Sequence, residues 1–342
     1  MGRKTTLKEL AVLLGLSIST VSKALSDSDE ISEGTKTRVR ELAKARNYHH
    51  NKLASSFRTG STKVIGVILP SLTDTFYTEV LFGIEKLLAA EGYAMMVAVS
   101  NDSASKEAKA VRSMSSGYVD GLIISNANET LSKASNKSMS IPLNEGMPLV
   151  LFGRPNPTVD CDQVLNDFSK VSFGLVEYLY KRHYCKNLAL LGKGNDWSNT
   201  QAKINGFEEA LNRFELPRLP NSLMIGEEQL SFQNLTKVAK KGDYDGYICL
   251  DYWSYGAITS VLSRLPRALA NKVQITTFGN LHSLQERACA AMDLRAEKVG
   301  QLAAKTLLKR IKNKKIDNHS TQIVTGNLIA YGQNTGPKAL QW

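Results

Sequence analysis

At 342 residues, 42% hydrophobic and 22% charged, the chain has room for about two domains, and its composition excludes a disordered, collagenous or coiled-coil protein. No apolar run approaches the roughly 18–20 residues of a membrane helix, the start MGRKTTLKEL lacks the apolar stretch of a secretory signal, and cysteines at 161, 185, 249 and 289 include no Cys-x-x-Cys pair. The net charge of +11 points to a polyanionic partner, and a reducing cytoplasm is the expected compartment.

Positive charge gathers at the N-terminus, where residues 1–60 hold eleven Lys/Arg against six Asp/Glu. Thr6-Leu7-Lys8-Glu9 has capping-box spacing, and Leu7, Leu10, Ala11 and Leu14 follow at helical intervals up to a stop at Gly15. Ser17 then caps a second predicted helix, Ile18 to Leu25, with Val21 and Ala24 inward. Two short helices joined by a tight glycine turn have the dimensions of a helix-turn-helix. A third helix is predicted after Ser32, with Val39, Leu42 and Ala43 inward and Lys36, Arg38, Arg40 and Lys44 outward. This spacing alone is equally consistent with a plain helical subdomain.

From Lys63 the pattern changes. VIGVIL at 64–69 is the continuous apolar run of a strand buried on both faces of a parallel sheet. A helical stretch with Val80, Leu81, Ile84, Leu87 and Leu88 inward follows, then AMMVAV (94–99), a helix from Ser103 to Ser116, GLIIS (121–125) and LVLF (149–152). Residues 126–146 are polar and read as a surface helix and loop. After Cys161 a second series begins, with a helix over about Phe168 to Arg182, LALLG (188–192), a helix around Lys203 to Phe214, YICL (247–250), a helix from Ser254 to Arg264 and VQITTF (273–278). Such alternation predicts two doubly wound parallel-sheet halves.

The runs KELAVLLGLSISTVSKAL, ISEGTKTRVRELAKARNY and NKLASSFRTGSTKVIGVILP, in register over head, linker and first strand, resemble the lactose-repressor/purine-repressor family of bacterial transcription regulators. The resemblance implies a small all-α helix-turn-helix head plus a periplasmic-binding-protein-like α/β core. The head with its hinge (about 49–60) would occupy residues 1–60. The core would occupy 61–342, split into an N-subdomain (about 61–162 plus 292–321) and a C-subdomain (about 163–291 plus 322–342), with the helix at 296–312 returning to the first half.

The resemblance also implies roles. Ile18 and Ser19 match the base-reading pair of a helix lying in the major groove, and Lys23 matches a further base contact suited to guanine O6/N7. Ser17 and Thr20 suit phosphate contacts, and Thr6 is counted among the DNA-facing residues. Asn51, Ala54, Phe57 and Arg58 fall in the hinge, where Phe57 replaces the usual leucine wedge for the minor groove.

Ligands of open parallel sheets collect at the carboxyl ends of strands. Phe76, Tyr77, Trp197, Asn199, Asp251 and Trp253 fall there and form an expected effector set with Lys203, which replaces the family's arginine in K-I-N-G-F, and Asn280, near a common family aspartate. Aromatic faces with a few polar groups suit a sugar or sugar derivative. Phe76 and Tyr77 are also readable as packing residues, and Asp251 as a helix cap. No Walker A, G-x-S-x-G, HExxH or metal-spaced His/Cys group is present, so neither an enzyme nor a cofactor or metal is expected. The expectation is a homodimeric repressor of carbohydrate-utilisation genes, bound to a pseudo-palindromic double-stranded operator and not to a membrane. The rival reading is a solute receptor sharing the core fold but with no role on DNA.

Overall fold

The computed structural model describes residues 5–48, 60–132, 137–194, 197–279, 287–313, 318–332 and 335–340. The chain separates into two units, Met1–Thr62 and Lys63–Trp342.

In the first unit, α1 spans Leu7–Leu14, α2 Ile18–Leu25 and α3 Glu33–Ala45. Thr6 and Glu9 complete the capping box: the Glu9 amide donates to Thr6 Oγ1 at 3.2 Å, and the Thr6 amide donates to Glu9 Oε2 at 2.9 Å. Gly15 ends α1 in the left-handed region at φ +66°, where an L side chain would be strained. Leu10, Ala11, Val21, Ala24, Val39 and Ala43 close a small core, each larger aliphatic contributing about 1.5–3 kcal/mol by burial.

Lys36, expected to face outward, is instead only 4% exposed. Its Nζ lies 3.2 Å from Asp27 Oδ1 and 2.8 Å from Glu33 Oε1, so the buried ammonium is paired with two carboxylates that themselves stay exposed.

The second unit holds two sheets. The first contains β1 (Val64–Leu69), β2 (Ala94–Val99), β3 (Gly121–Ile124), β4 (Leu149–Phe152), β5 (Asp162–Asn166) and β11 (Thr321–Val324), in the order β11-β5-β4-β3-β1-β2. Every pairing in it is parallel. The second contains β6 (Leu188–Gly192), β7 (Leu223–Ile225), β8 (Gly246–Cys249), β9 (Gln274–Phe278), β10 (Ala290–Asp293), β12 (Asn327–Gly332) and β13 (Thr335–Leu340), in the order β13-β12-β10-β9-β8-β6-β7. Its last two strands are antiparallel, a hairpin the sequence reading did not anticipate.

The helices are α4 (Thr75–Ala90), α5 (Ala104–Ser115), α6 (Asn128–Ser132), α7 (Lys137–Asn144), α8 (Phe168–His183), α9 (Trp197–Arg213), α10 (Phe232–Lys241), α11 (Tyr252–Leu262), α12 (Arg267–Ala270) and α13 (Ala296–Lys312). Two helix pairs meet backbone to backbone. A Cβ on Gly83 of α4 would stand 2.0 Å from the Glu297 carbonyl oxygen of α13, and one on Gly206 of α9 would stand 2.0 Å from that of Ser169 on α8.

The halves exchange chain at different points from those expected. β5 pairs with β4, and β11 pairs with β5, so residues 163–166 and 322–324 belong to the first half and not to the second. The polar strand DQVLN stays there because Asp162 is held by Arg310 of α13 and by the Ser320 amide at 2.8 Å. Asn166 marks the exchange: its Nδ2 donates to Leu294 O at 2.9 Å and Val324 O at 3.1 Å, tying one amide to the other two connecting segments.

Residues 126–146 are helical over α6 and α7 as expected but only partly on the surface: the Ala127 amide and Thr130 Oγ1 donate to buried Glu107, and Met139 lies in the apolar cluster that holds Leu122 and Leu151.

Candidate DNA and effector sites

On the first unit, α2 turns one mixed apolar and polar face outward. Ile18 is 48% exposed, Ser19 is exposed, and Lys23, one turn beyond Ser19, is partly exposed. Val21 and Ala24 hold the opposite face in the core, so the register of α2 decides which side chains are presented. Ser17 Oγ accepts the Thr20 amide at 3.0 Å and lies 2.8 Å from Thr20 Oγ1, so the two hydroxyls share one proton between them and keep one to donate outward. Thr6 sits at the mouth of α1, engaged in its capping box. Lys23 forms an ion pair with Glu30, a partner the sequence reading missed. Asn51, Ala54, Phe57 and Arg58 lie outside the described residues.

Both sheets of the second unit share one local strand order, β2-β1-β3-β4-β5 in the first and β7-β6-β8-β9-β10 in the second. The order reverses between β1 and β3 and between β6 and β8, and crevices for ligands open beyond the carboxyl ends of strands at such points. Phe76 follows β1, Trp197 and Asn199 follow β6, and Asp251 and Trp253 follow β8.

These residues divide by environment. Phe76 packs against the hydrophobic clusters of both halves, including the one that holds Phe168 and Phe278. Lys203 Nζ lies 5.0 Å from the Phe168 ring centre and 4.8 Å from that of Phe278, a cation between two aromatic faces. Lys203, Phe168 and Phe278 are therefore gathered together, and Phe76 packs on the same apolar cluster as the two rings. Trp253 stands 54% exposed with Lys193 Nζ 5.5 Å from its ring centre, and that ammonium also pairs with Glu227 at 2.8 Å.

Others turn inward. Tyr77 is 4% exposed and meets Phe152 edge to face in the core of the first half. Asp251 caps α11: Oδ1 accepts the Ser254 amide at 2.7 Å and Oδ2 the Lys193 amide at 2.7 Å, so it binds the loop after β6 to the start of α11. Asn199 is buried in the first turn of α9, which starts at Trp197; the expected loop there is helical. Asn280 lies outside the described residues.

Two groups at strand ends were not anticipated. Ser125, directly after β3, is fully buried, and its Oγ finds no hydrogen-bond partner among the described residues. Arg154, just beyond β4, is 3% exposed, pairs with Asp102 and donates to Asn126 O at 2.7 Å. Its guanidinium carbon lies 5.9 Å from the Tyr77 ring centre. Beneath them Glu107 accepts from the Ala127 amide and from Thr130 Oγ1 at 2.8 Å, and burial pushes its carboxyl above the ordinary value. This network fastens the loops after β2, β3 and β4 to one another. Position at the end of a predicted strand is the signal that points to Ser125, whereas the Arg154 pairing is visible only once the loops are folded together. Among the described residues no group of three His, Cys, Asp or Glu could hold a metal ion, and no helix is long and apolar enough to cross a membrane.

Comparison with known proteins agrees with this geometry. Residues 6–51 match the family described as bacterial regulatory proteins, lacI family, and residues 62–233 match the periplasmic binding proteins and sugar binding domain of LacI family. The HTH-type transcriptional regulator MalR of Streptococcus pneumoniae serotype 4 (strain ATCC BAA-334 / TIGR4) is 28% identical over 343 residues, covering 95% of this chain and 98% of that protein. The lac repressor dimer bound to operator and an anti-inducer superposes with a TM-score of 0.78 at 16% identity, over 95% of this chain and 98% of that one. The transcriptional regulator CelR in complex with cellobiose superposes at 0.64 and 17% identity, with the same two coverages. The helix-turn-helix head, the paired doubly wound sheets and both family matches lead to one conclusion: this chain belongs to the LacI family of bacterial regulatory proteins, DNA-binding regulators of transcription.

Proposed function

We propose that the chain is a cytoplasmic homodimeric repressor of carbohydrate-utilisation genes, released from or loaded onto its operator by a sugar-like effector held between the halves of the core. The observation that carries this reading is the pairing of an exposed Ile18–Ser19–Lys23 face with aromatic side chains at both strand-order reversals. On DNA, α2 enters the major groove, which is wide enough for a helix and distinguishes all four base pairs. Ile18 meets a thymine methyl, Ser19 donates or accepts, Lys23 donates to guanine O6/N7, and Ser17 and Thr20 hold phosphate. Thr6 sits at the N-terminus of α1, whose positive dipole end favours a phosphate. In the hinge, Asn51, Ala54 and Arg58 flank Phe57, which wedges into the minor groove.

In the core, the effector stacks on Phe76 and Trp253, is held by Lys203, Asn199 and Trp197, and gives a hydroxyl to Ser125. Asp251 acts by fixing the loop that carries Lys193. Asn280, which follows β9 in sequence, completes the set. The relatives add support, since a MalR and a cellobiose-bound CelR are among the similar proteins. The test is a thermal-shift panel of sugars and phosphosugars followed by gel shifts with the ligand that raises the melting temperature most. A sugar that shifts both melting and DNA affinity is the expected result. A panel in which no sugar changes DNA affinity overturns the effector reading, and absence of any sequence-selective DNA binding overturns the repressor reading.

A further inference from the structure

The six acidic residues of the head all fall between residues 9 and 41, among its eleven Lys/Arg. The acidic residues concentrate in one place, the turn from α2 to α3, which holds Asp27, Asp29 and Glu30, with Glu33 just beyond.

Those carboxylates have different tasks. Asp27 faces Lys36 and Arg40, and Glu33 faces Lys36, on the side that closes the helix angle. Glu30 instead pairs with Lys23 on the outward face of α2. The turn is built to place it there: the Ser28 amide donates to Lys23 O at 3.0 Å, folding the chain back over the end of α2, and the Ile31 amide donates to Ser28 O at 3.2 Å.

We infer that Glu30 is a specificity-determining positioning residue that neutralises Lys23 against phosphate and releases it only to a correctly placed base edge. The inference rests on the reading of α2 as the groove-reading helix. In the unbound head the Lys23 ammonium has a carboxylate partner within the protein, so an arbitrary phosphate offers it nothing new. A guanine edge in register offers two acceptors aligned with the side chain, and the exchange becomes favourable there. Glu30, left near the phosphates, opposes every other docking register. An exposed ion pair contributes little to folding, so its effect is expected in recognition and not in stability.

The experiment uses the intact chain, a duplex selected by the wild type from a random pool, and a random duplex of equal length, titrated between 50 and 200 mM salt. Glu30→Gln is expected to bind random DNA about 3–10-fold more tightly, with log affinity falling about one unit more steeply against log salt, as one added phosphate contact would give. The ratio of selected to random affinity falls accordingly. In a Lys23→Ala background, adding Glu30→Gln leaves that ratio within about twofold, and Glu30→Asp retains part of the wild-type ratio. An unchanged ratio in Glu30→Gln overturns the inference. An equal loss of ratio with and without Lys23 also overturns it, since Glu30 would then be touching DNA itself. If the wild type enriches no sequence from the pool, the groove-reading role of α2 fails first, and the two failures are distinguishable.

Discussion

Gly206, within the K-I-N-G-F stretch, gives a sharp test of how the core is packed. A Cβ there would stand 2.0 Å from the Ser169 carbonyl oxygen and 2.8 Å from the Ser169 Cα, both backbone atoms of α8. Ordinary contact begins near 3.4 Å, so Gly206→Ala requires α8 and α9 to part by about 1.4 Å. Forcing atoms into a packed interior in this way costs about 1–3 kcal/mol, and in a unit of this size each kcal/mol lowers the melting temperature by about 2–4 °C. The expected drop is therefore about 2–12 °C by calorimetry. Lys203 lies one turn before Gly206 on α9, over the ring of Phe168 on α8, so sugar affinity should fall as well. The control is Gly256→Ala on α11, where a Cβ would meet no heavy atom within 4 Å. That change trims the freedom of the unfolded chain and should stabilise by about 0.4–1 kcal/mol. Two substitutions of the same chemistry thus carry opposite signs. Equal effects, or a stabilised Gly206→Ala, would refute the packing argument.

Asn166→Asp places carboxylate oxygens against Leu294 O and Val324 O and is expected to lower core stability by about 1–3 kcal/mol in urea unfolding; an unchanged midpoint would show that the amide holds nothing. Lys203→Ala should leave DNA affinity intact without ligand and abolish the response to the sugar, and a normal response in gel shifts would remove Lys203 from the site. In the head, the hydrogen bond from Lys36 holds the Asp27 carboxyl below the ordinary value. Its stabilising effect is therefore complete above the unfolded value near about 4 and is lost as pH falls through the lower folded value. Hydrogen exchange of α3 amides should show this acid sensitivity in the wild type and its absence in Asp27→Asn.

What could be read from the sequence alone follows from where each signal resides. The head was legible cap to cap because the Thr6–Glu9 box, Gly15 and Ser17 act within four residues of themselves. VIGVIL, LVLF and LALLG announced strands because both faces of each are covered, leaving no polar position in the run. β5 was hidden for the opposite reason, since the Asp162 carboxylate and the Asn166 amide nitrogen find partners more than a hundred residues away. Lys36 looked like a surface residue because one of its two carboxylate partners, Asp27, lies across the α2–α3 turn, nine residues before it. Phe76 and Lys203 could be singled out from strand position and from the K-I-N-G-F stretch, but the seating of Lys203 between the Phe168 and Phe278 rings could not. The capping duty of Asp251, the core burial of Tyr77 and the Arg154 network depend on loops that only the fold brings together.

The central claim is that this chain reads DNA as a two-fold dimer through α2, and selection of a random duplex pool by the intact protein tests it most directly. The account predicts an enriched sequence with two-fold symmetry, its half-sites about one helical turn apart, about 10 base pairs centre to centre. Lys23→Ala should then relax preference at one symmetric pair of positions at a cost of about 1–3 kcal/mol, with random DNA bound much as before. A pool that stays unenriched, or an enriched sequence without two-fold symmetry whose preferences ignore Lys23, would contradict it.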